Sequence, residues 1–306
     1  MRVGFRGGVL CAAVALSACG AGMDQGNTAG EDLLPTGKGA VTLQQIAEAS
    51  AQARAKPNSN GISYHGGPLL NSTSGTNVYY IWYGGWSGNT ATTILTSFAQ
   101  SIGGSPYFNI NTTYYDGSGK HVTNAVNYKS STTDAYSQGT SFGDSGVQAI
   151  VASAISSGRL PLDTNAVYFV LTSSDVNETS GFCTQYCGWH THGTISGADI
   201  KYSFVGNPDR CPSACEAQTT SPNGNAGADG MASIVAHELE EAVTDPDLNA
   251  WYDTRGRENA DKCAWTFGTE STASNGSKYN VVLGGNEYLI QRNWVNASGG
   301  YCAMSY

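Results

Sequence analysis

Val78-Tyr79-Tyr80-Ile81-Trp82-Tyr83, bounded by Asn77 and by Gly84-Gly85, is aromatic and β-branched from end to end and reads as a strand. Behind it, Ala91 to Ile102 sets Ile94, Leu95, Phe98 and Ile102 at helical spacing before Gly103-Gly104 stops the pattern. The alternation then repeats. His121 to Tyr128 reads as a second strand, and Ser145 to Ser156, with Val147, Ile150, Val151 and Ile155, as a second amphipathic helix. Asn165 to Thr172, around Ala166-Val167-Tyr168-Phe169-Val170-Leu171, reads as a buried strand, and Ile200 to Val205 as another. Strands alternating with helices favour a mixed α/β sheet over a sandwich. No repeat period interrupts the pattern, so residues 61–306 read as one α/β domain, a mixed β-sheet with flanking helices.

Composition narrows the function classes. Of 306 residues 40% are hydrophobic, enough for a sizeable core, and 13% are charged. Fifteen Lys and Arg stand against 24 Asp and Glu, a net charge of −9 with no basic run, which argues against counterion-driven nucleic-acid binding. The chain starts Met1-Arg2-Val3-Gly4-Phe5-Arg6, followed by an apolar stretch from Val9 to Leu16 that is too short to span a bilayer. That is the layout of an export signal. Leu16-Ser17-Ala18-Cys19-Gly20 resembles the bacterial lipobox, which implies cleavage before Cys19 and acylation of its sulfur. Residues 1–18 are thus expected to be a lipoprotein-type signal peptide, and residues 19–60, rich in Gly, Ala, Gln and Asn, a flexible tether to the envelope. The expected protein is an exported monomer that touches the membrane only through its lipid.

Six cysteines remain in the domain: Cys183, Cys187, Cys211, Cys215, Cys263 and Cys302. The first four form two Cys-x3-Cys pairs. Four thiols at such spacing suit zinc, but export favours disulfides. Of the 15 possible connectivities, Cys183–Cys187, Cys211–Cys215 and Cys263–Cys302 are expected, since the first two couples are already neighbours in the chain.

The chemically distinctive stretch is Ala228-Asp229-Gly230-Met231-Ala232-Ser233-Ile234-Val235-Ala236-His237-Glu238-Leu239-Glu240-Glu241-Ala242-Val243-Thr244-Asp245-Pro246. Met231, Ile234, Val235, Leu239, Ala242 and Val243 form one apolar helical face, Asp229 or Ser233 is the expected cap, and Pro246 ends the helix. His237 and Glu241 lie one turn apart on the same side, Glu238 shares that side, and Glu240 is expected to point outward. This is the geometry of His-Glu-x-x-His metallopeptidases with a carboxylate in place of the second imidazole. A zinc hydrolase needs three protein ligands, an open position for water, and a carboxylate to take the water's proton. His237 and Glu241 are the expected ligands and Glu238 the expected general base. The third ligand is sought in Trp251 to Cys263, with Glu258 first, Asp261 second and Asp253 third; His190 and His192 are outside candidates. Carboxylate-rich ligation would make a site for Zn2+ that also tolerates harder divalent cations. A shuffled chain of this composition would show His-Glu-x-x-Glu about 0.005 times. Nine of the 24 acids also fall between Asp229 and Asp261.

From Tyr64 to the C-terminus the chain resembles the EXORDIUM / phosphate-induced protein 1 family, known chiefly from plant cell walls. The resemblance is carried by Tyr64-His65-Gly66-Gly67-Pro68-Leu69-Leu70, Ile81-Trp82-Tyr83-Gly84, Gly181-Phe182-Cys183 through Cys187-Gly188, Val205-Gly206-Asn207-Pro208, Cys211-Pro212-Ser213-Ala214-Cys215, and Pro222-Asn223-Gly224 to Gly227-Ala228-Asp229-Gly230-Met231. It implies a secreted or envelope protein linked to growth, without a settled activity. Plant members keep the helix but not its His-Glu-x-x-Glu. His237 to Pro246 with Trp251-Tyr252-Asp253 instead resembles a microbial, zincin-like branch.

Other chemistries lack support. His65 and His121 are isolated, no Gly-x-Ser-x-Gly elbow occurs, and no Gly-rich stretch ends in Gly-Lys-Ser/Thr. Two functions are therefore expected in competition: a zinc metallopeptidase-like hydrolase acting on peptides or an envelope polymer, and a non-catalytic envelope protein with a structural or vestigial metal site.

Overall fold

The computed structural model describes Met1, residues 35–45 and residues 61–306. The expected signal, the lipidation site Cys19 and most of the expected tether lie outside the described residues. Five strands form the main sheet: β1 (Thr76–Tyr83), β2 (Val126–Asp134), β3 (Ala166–Thr172), β4 (Gly188–Ile195) and β5 (Ala198–Val205), in the spatial order β2-β1-β3-β5-β4. The first four in that order run parallel, and β4 closes the edge antiparallel to β5. β1 and β3 are central and almost wholly buried, which explains their continuous apolar sequence.

Two longer helices fill the crossovers. α1 (Ala91–Ser101) buries Ile94, Leu95 and Phe98, and α2 (Asp144–Ser156) buries Val147, Ile150 and Val151. Each such side chain withdrawn from water is worth roughly 1.5–3 kcal/mol before entropy is charged. The chain leaves β1 for one neighbour and returns across it to β3, so right-handed crossovers put the two helices on opposite faces. Cross-strand registry bears this out. Tyr80, Phe169, Ser203 and His190 form one row and share a face. On that face the Tyr80 hydroxyl donates to the Leu95 carbonyl of α1 at 3.3 Å. On the other face Gln148 of α2 lies against Gly193 beside Tyr202.

Below β4 and β5, on the same face as α1, runs a short helix α3 (Pro212–Cys215) followed by the long α4 (Ala226–Thr244). Asn225 caps α4, its side chain accepting from the Ala228 N–H at 3.0 Å, in place of the expected Asp229 or Ser233. Asp229 sits in the first turn and accepts from Ser221 and Asn223. The expected outward face of α4 is absent: Glu240 is 0% exposed and accepts from the Tyr107 hydroxyl at 3.0 Å. The helix is covered by the sheet, by α1 and by the C-terminal loops, where the Gln291 N–H donates to Ser233 and Asn259 donates to the Glu240 carbonyl.

Two expectations for the sheet need correction. The second strand is not His121 to Tyr128 but Val126–Asp134, and His121 makes only an isolated bridge with Tyr115. β2 is an edge strand, half exposed and polar, so its sequence lacks the apolar signature. β4 was not expected at all as a strand.

The disulfides also differ. The bridges are Cys183–Cys211, Cys187–Cys215 and, as expected, Cys263–Cys302. Cys211 and Cys215 bracket one helical turn and present both sulfurs to the same side. Cys183, at φ 71°, turns the facing loop so that its own couple meets them. Two turns stacked face to face bond across, not along, the chain. The result ties the start of β4 to the approach to α4.

Residues 35–45 fall within the expected tether, yet they lie on the domain. Thr42 N–H donates to Gln185, Cys187 N–H to Ala40 and His190 N–H to Gly37, at 3.1, 2.7 and 2.9 Å, so this strap runs along the outer edge of β4. Its glycines permit the approach. A side chain at Gly37 (φ 65°) would strike the His190 carbonyl, and one at Gly39 would strike the Asp261 carboxylate.

Candidate metal centre

α4 presents His237, Glu238 and Glu241 toward β4 and toward the loop Asp253 to Cys263. His237 Nε2 lies 3.0 Å from Glu241 Oε1 and 3.4 Å from Asp261 Oδ1. From β4, His190 Nε2 lies 3.1 Å from Glu258 Oε1 and 3.8 Å from Glu241 Oε2. The loop is set by its own backbone. The Asp261 N–H donates to Glu241 Oε1 and the Glu258 N–H to Asp261 Oδ2, both at 3.1 Å, and the Cys263–Cys302 bridge anchors the following turn. Gly188, at the start of β4, comes close to Glu238 because it has no side chain of its own.

The expected residues His237, Glu238, Glu241, Glu258 and Asp261 therefore converge. Asp261 stands at His237, and Glu258, the first choice, stands at His190 instead. Asp253 does not join them; it accepts from Lys262 at 3.0 Å and from the Arg255 and Arg257 N–H groups. His192 turns to the surface, where it meets Asp199 and Asp247 beside Lys201. His190, only an outside candidate, belongs to the cluster. Its strand was signalled by Ser196-Gly197, both at positive φ, the two-residue hairpin turn that joins β4 to β5.

The electrostatics of this cluster disfavour ionised carboxylates left to themselves. His190, His237, Glu238, Glu241 and Glu258 are each 1% exposed or less. No described Lys or Arg pairs with the four carboxylates. Burial, then the neighbouring Glu241, pushes the Glu238 carboxyl well above its usual range; burial and Glu241 do the same to Glu258. Burial, followed by Asp261, raises Glu241 to about 7 against the pull of His237. Burial drives His190 down to about 3, so this imidazole is neutral and able to ligate. Burial also opposes charge on His237, but Glu241, Asp261 and Glu238 outweigh it and lift its pKa well above normal.

The residues fit a metal ion. Both Glu238 oxygens, Glu241 Oε2, Asp261 Oδ1 and His237 Nε2 are buried and without a hydrogen-bond partner. An unpaired buried carboxylate costs several kcal/mol, about the cost that cation binding removes. His237 Nε2 and Glu241 Oε1 approach to 3.0 Å without hydrogen-bond alignment. Donors about 2.0–2.2 Å from one tetrahedral zinc stand roughly 3.2–3.6 Å apart, close to the separations around His237. Ligand atoms of His237, Glu241 and Asp261 lie within 4.8 Å of one another, as do those of His190, Glu238 and Glu241.

Comparison with known proteins gives the lineage. Residues 62–303 match the family model described as the phosphate-induced protein 1 conserved region. The chain is 33% identical to Protein EXORDIUM-like 3 of Arabidopsis thaliana, covering 84% of this chain and 87% of that one. It is 31% identical to Protein EXORDIUM-like 5 of the same plant, over 76% and 75%. It is 27% identical to Protein PHOSPHATE-INDUCED 1 of Nicotiana tabacum, over 64% and 69%. No solved structure matches.

Proposed function

The chain belongs to the phosphate-induced protein 1 family, and from that premise we propose that it is an exported, lipid-anchored envelope protein carrying a zinc-dependent hydrolytic centre for peptides. One observation carries the reading: His237, Glu241 and Asp261 converge within 4.8 Å, the first two buried and Asp261 partly so, with His237 Nε2, Glu241 Oε2 and Asp261 Oδ1 left without a hydrogen-bond partner. These three would hold the ion. Zinc, when bound, lowers the pKa of water toward neutrality and polarises a carbonyl. Glu238 supplies the proton acceptor, since both of its oxygens lack a partner and burial has already made the carboxylate proton-seeking. At the outer edge of β4 the Cys187 and His190 N–H groups donate to strap carbonyls, so an extended peptide would pair there only in the strap's place. Export accords with the three disulfides, and among the described residues no helix is long and apolar enough to cross a membrane.

A second reading has its own support. The enclosure of the cluster under the strap suits a structural ion in a non-catalytic envelope protein. Two variants separate the readings. Glu238→Gln retains metal and abolishes peptide hydrolysis if the centre is catalytic. Glu241→Ala loses the metal under either reading. Purified chain that holds metal but hydrolyses no peptide, with Glu238→Gln indistinguishable from it, leaves the structural reading; metal-free wild type defeats both.

A further inference from the structure

The strap lies on β4 as a bound peptide lies on a sheet edge. Its contacts step in opposite directions along the two segments, Gly37 with His190, Ala40 with Cys187 and Thr42 with Gln185, and Val41 bridges Tyr186 antiparallel. From the other side the Trp265 indole donates to the Val41 carbonyl at 2.6 Å. The strap is thus gripped between the edge of β4 and the residues after Cys263, with Gly39 against the Asp261 carboxylate. Main-chain bonds of this kind hold many extended segments, and side-chain slots choose among them.

One such slot is built. Lys38 reaches from the strap to the start of α2, where its Nζ lies 2.8 Å from Asp144 Oδ2. The same ammonium stands 5.0 Å from the centroid of the Tyr186 ring and 5.9 Å from that of Trp189. Both rings are buried, and the Tyr186 hydroxyl is fixed by donating to the buried Glu178 at 2.6 Å. A carboxylate beside two aromatic faces recognises a cation. The next position has no slot at all, because a side chain on Gly39 would strike Asp261. From this arrangement we propose that the edge of β4 is a binding groove for extended peptides in which a basic residue precedes a glycine, and that residues 35–45 fill it in cis as a pseudosubstrate. Because the strap crosses at His190 and Asp261, a peptide reaches the proposed centre only once the strap has left.

The inference deepens the hydrolytic reading and rests on it for the purpose of the groove, but binding is read without turnover, so the two fail separately. The full chain carrying Gly39→Val, which lifts the strap, is titrated with a dye-labelled peptide of residues 35–45 and followed by fluorescence anisotropy. It should bind the peptide at least about tenfold more tightly than wild type, whose groove is occupied. The same peptide with Lys38→Ala should bind this variant roughly three- to tenfold more weakly, and adding Asp144→Asn to the chain should shrink that difference. Equal affinity of the two chains for the peptide, or of the variant for the two peptides, overturns the proposal. Lys38→Ala in the full chain, a change at a partly exposed side chain, guards against a folding defect in Gly39→Val. Amide exchange at Cys187 and His190 should then accelerate roughly three- to tenfold, and unchanged exchange overturns the slot. A chain that binds the peptide as described but hydrolyses none leaves the groove standing and counts against the hydrolytic reading alone.

Discussion

Glu238, the proposed proton acceptor, is set apart by its burial. It is 0% exposed, both oxygens lack partners, and Glu241 adds repulsion to desolvation. Glu238→Gln removes the proposed proton acceptor and keeps the shape. Peptide turnover should fall by about 10²- to 10⁴-fold, the usual worth of a general base, with metal content unchanged and the thermal midpoint no lower than wild type. Away from the centre, burial and then Asp209 raise Glu216 to about 7 from its ordinary 4.5. The fold therefore favours the neutral carboxyl. The stability this group contributes is fully present below pH 4.5 and is lost as pH rises through about 7. Glu216→Gln should match wild type in denaturant titrations at pH 4 and exceed it at pH 8. At this scale the sequence was legible where chemistry lay within one helix: His237, Glu238 and Glu241 are fixed by a single turn. Glu240 was not, because its surroundings come from Tyr107 and the C-terminal loops, distant in sequence.

The elements that escaped sequence reading are those whose side chains do not advertise burial. β2 is polar because it is an edge, and β4 alternates Gly, His and Thr because the strap covers its outer edge and α4 covers one face. The strap is held by backbone bonds that composition cannot announce. Gly39→Val places a side chain on the Asp261 carboxylate and should lift the strap from β4. Amide exchange at Cys187 and His190, which donate to strap carbonyls, should accelerate at least about tenfold, while Gly61→Val, in open space, should leave it unchanged. The paired disulfides lead to a further expectation. Each closes a separation of 28 residues, which the chain-entropy view values at about 3–4 kcal/mol. With one bridge formed, the other closes only a short remaining loop. Removing Cys187 and Cys215 together should therefore cost well under half of what removing all four cysteines costs, measured by denaturant unfolding under oxidising conditions.

For the whole molecule, the fold class was readable because alternating periodicities survive averaging over the chain, and the α/β sheet with its site helix stands as expected. What periodicity could not convey is that the sheet edge, the buried helix and a loop held by Cys263–Cys302 would bring their side chains into one acidic cluster. Under the proposed reading, that convergence would make the cation part of the fold. A metal bound to the native state alone, at a thousandfold excess over its dissociation constant, adds about 4 kcal/mol. For a domain of this size that corresponds to roughly 8–16 °C in the midpoint. Thermal unfolding of the purified chain, with chelator and then with zinc restored, is the most direct test. The midpoint should drop by about that amount on chelation and recover with zinc; superimposable transitions in both conditions would contradict a cation at the heart of this protein.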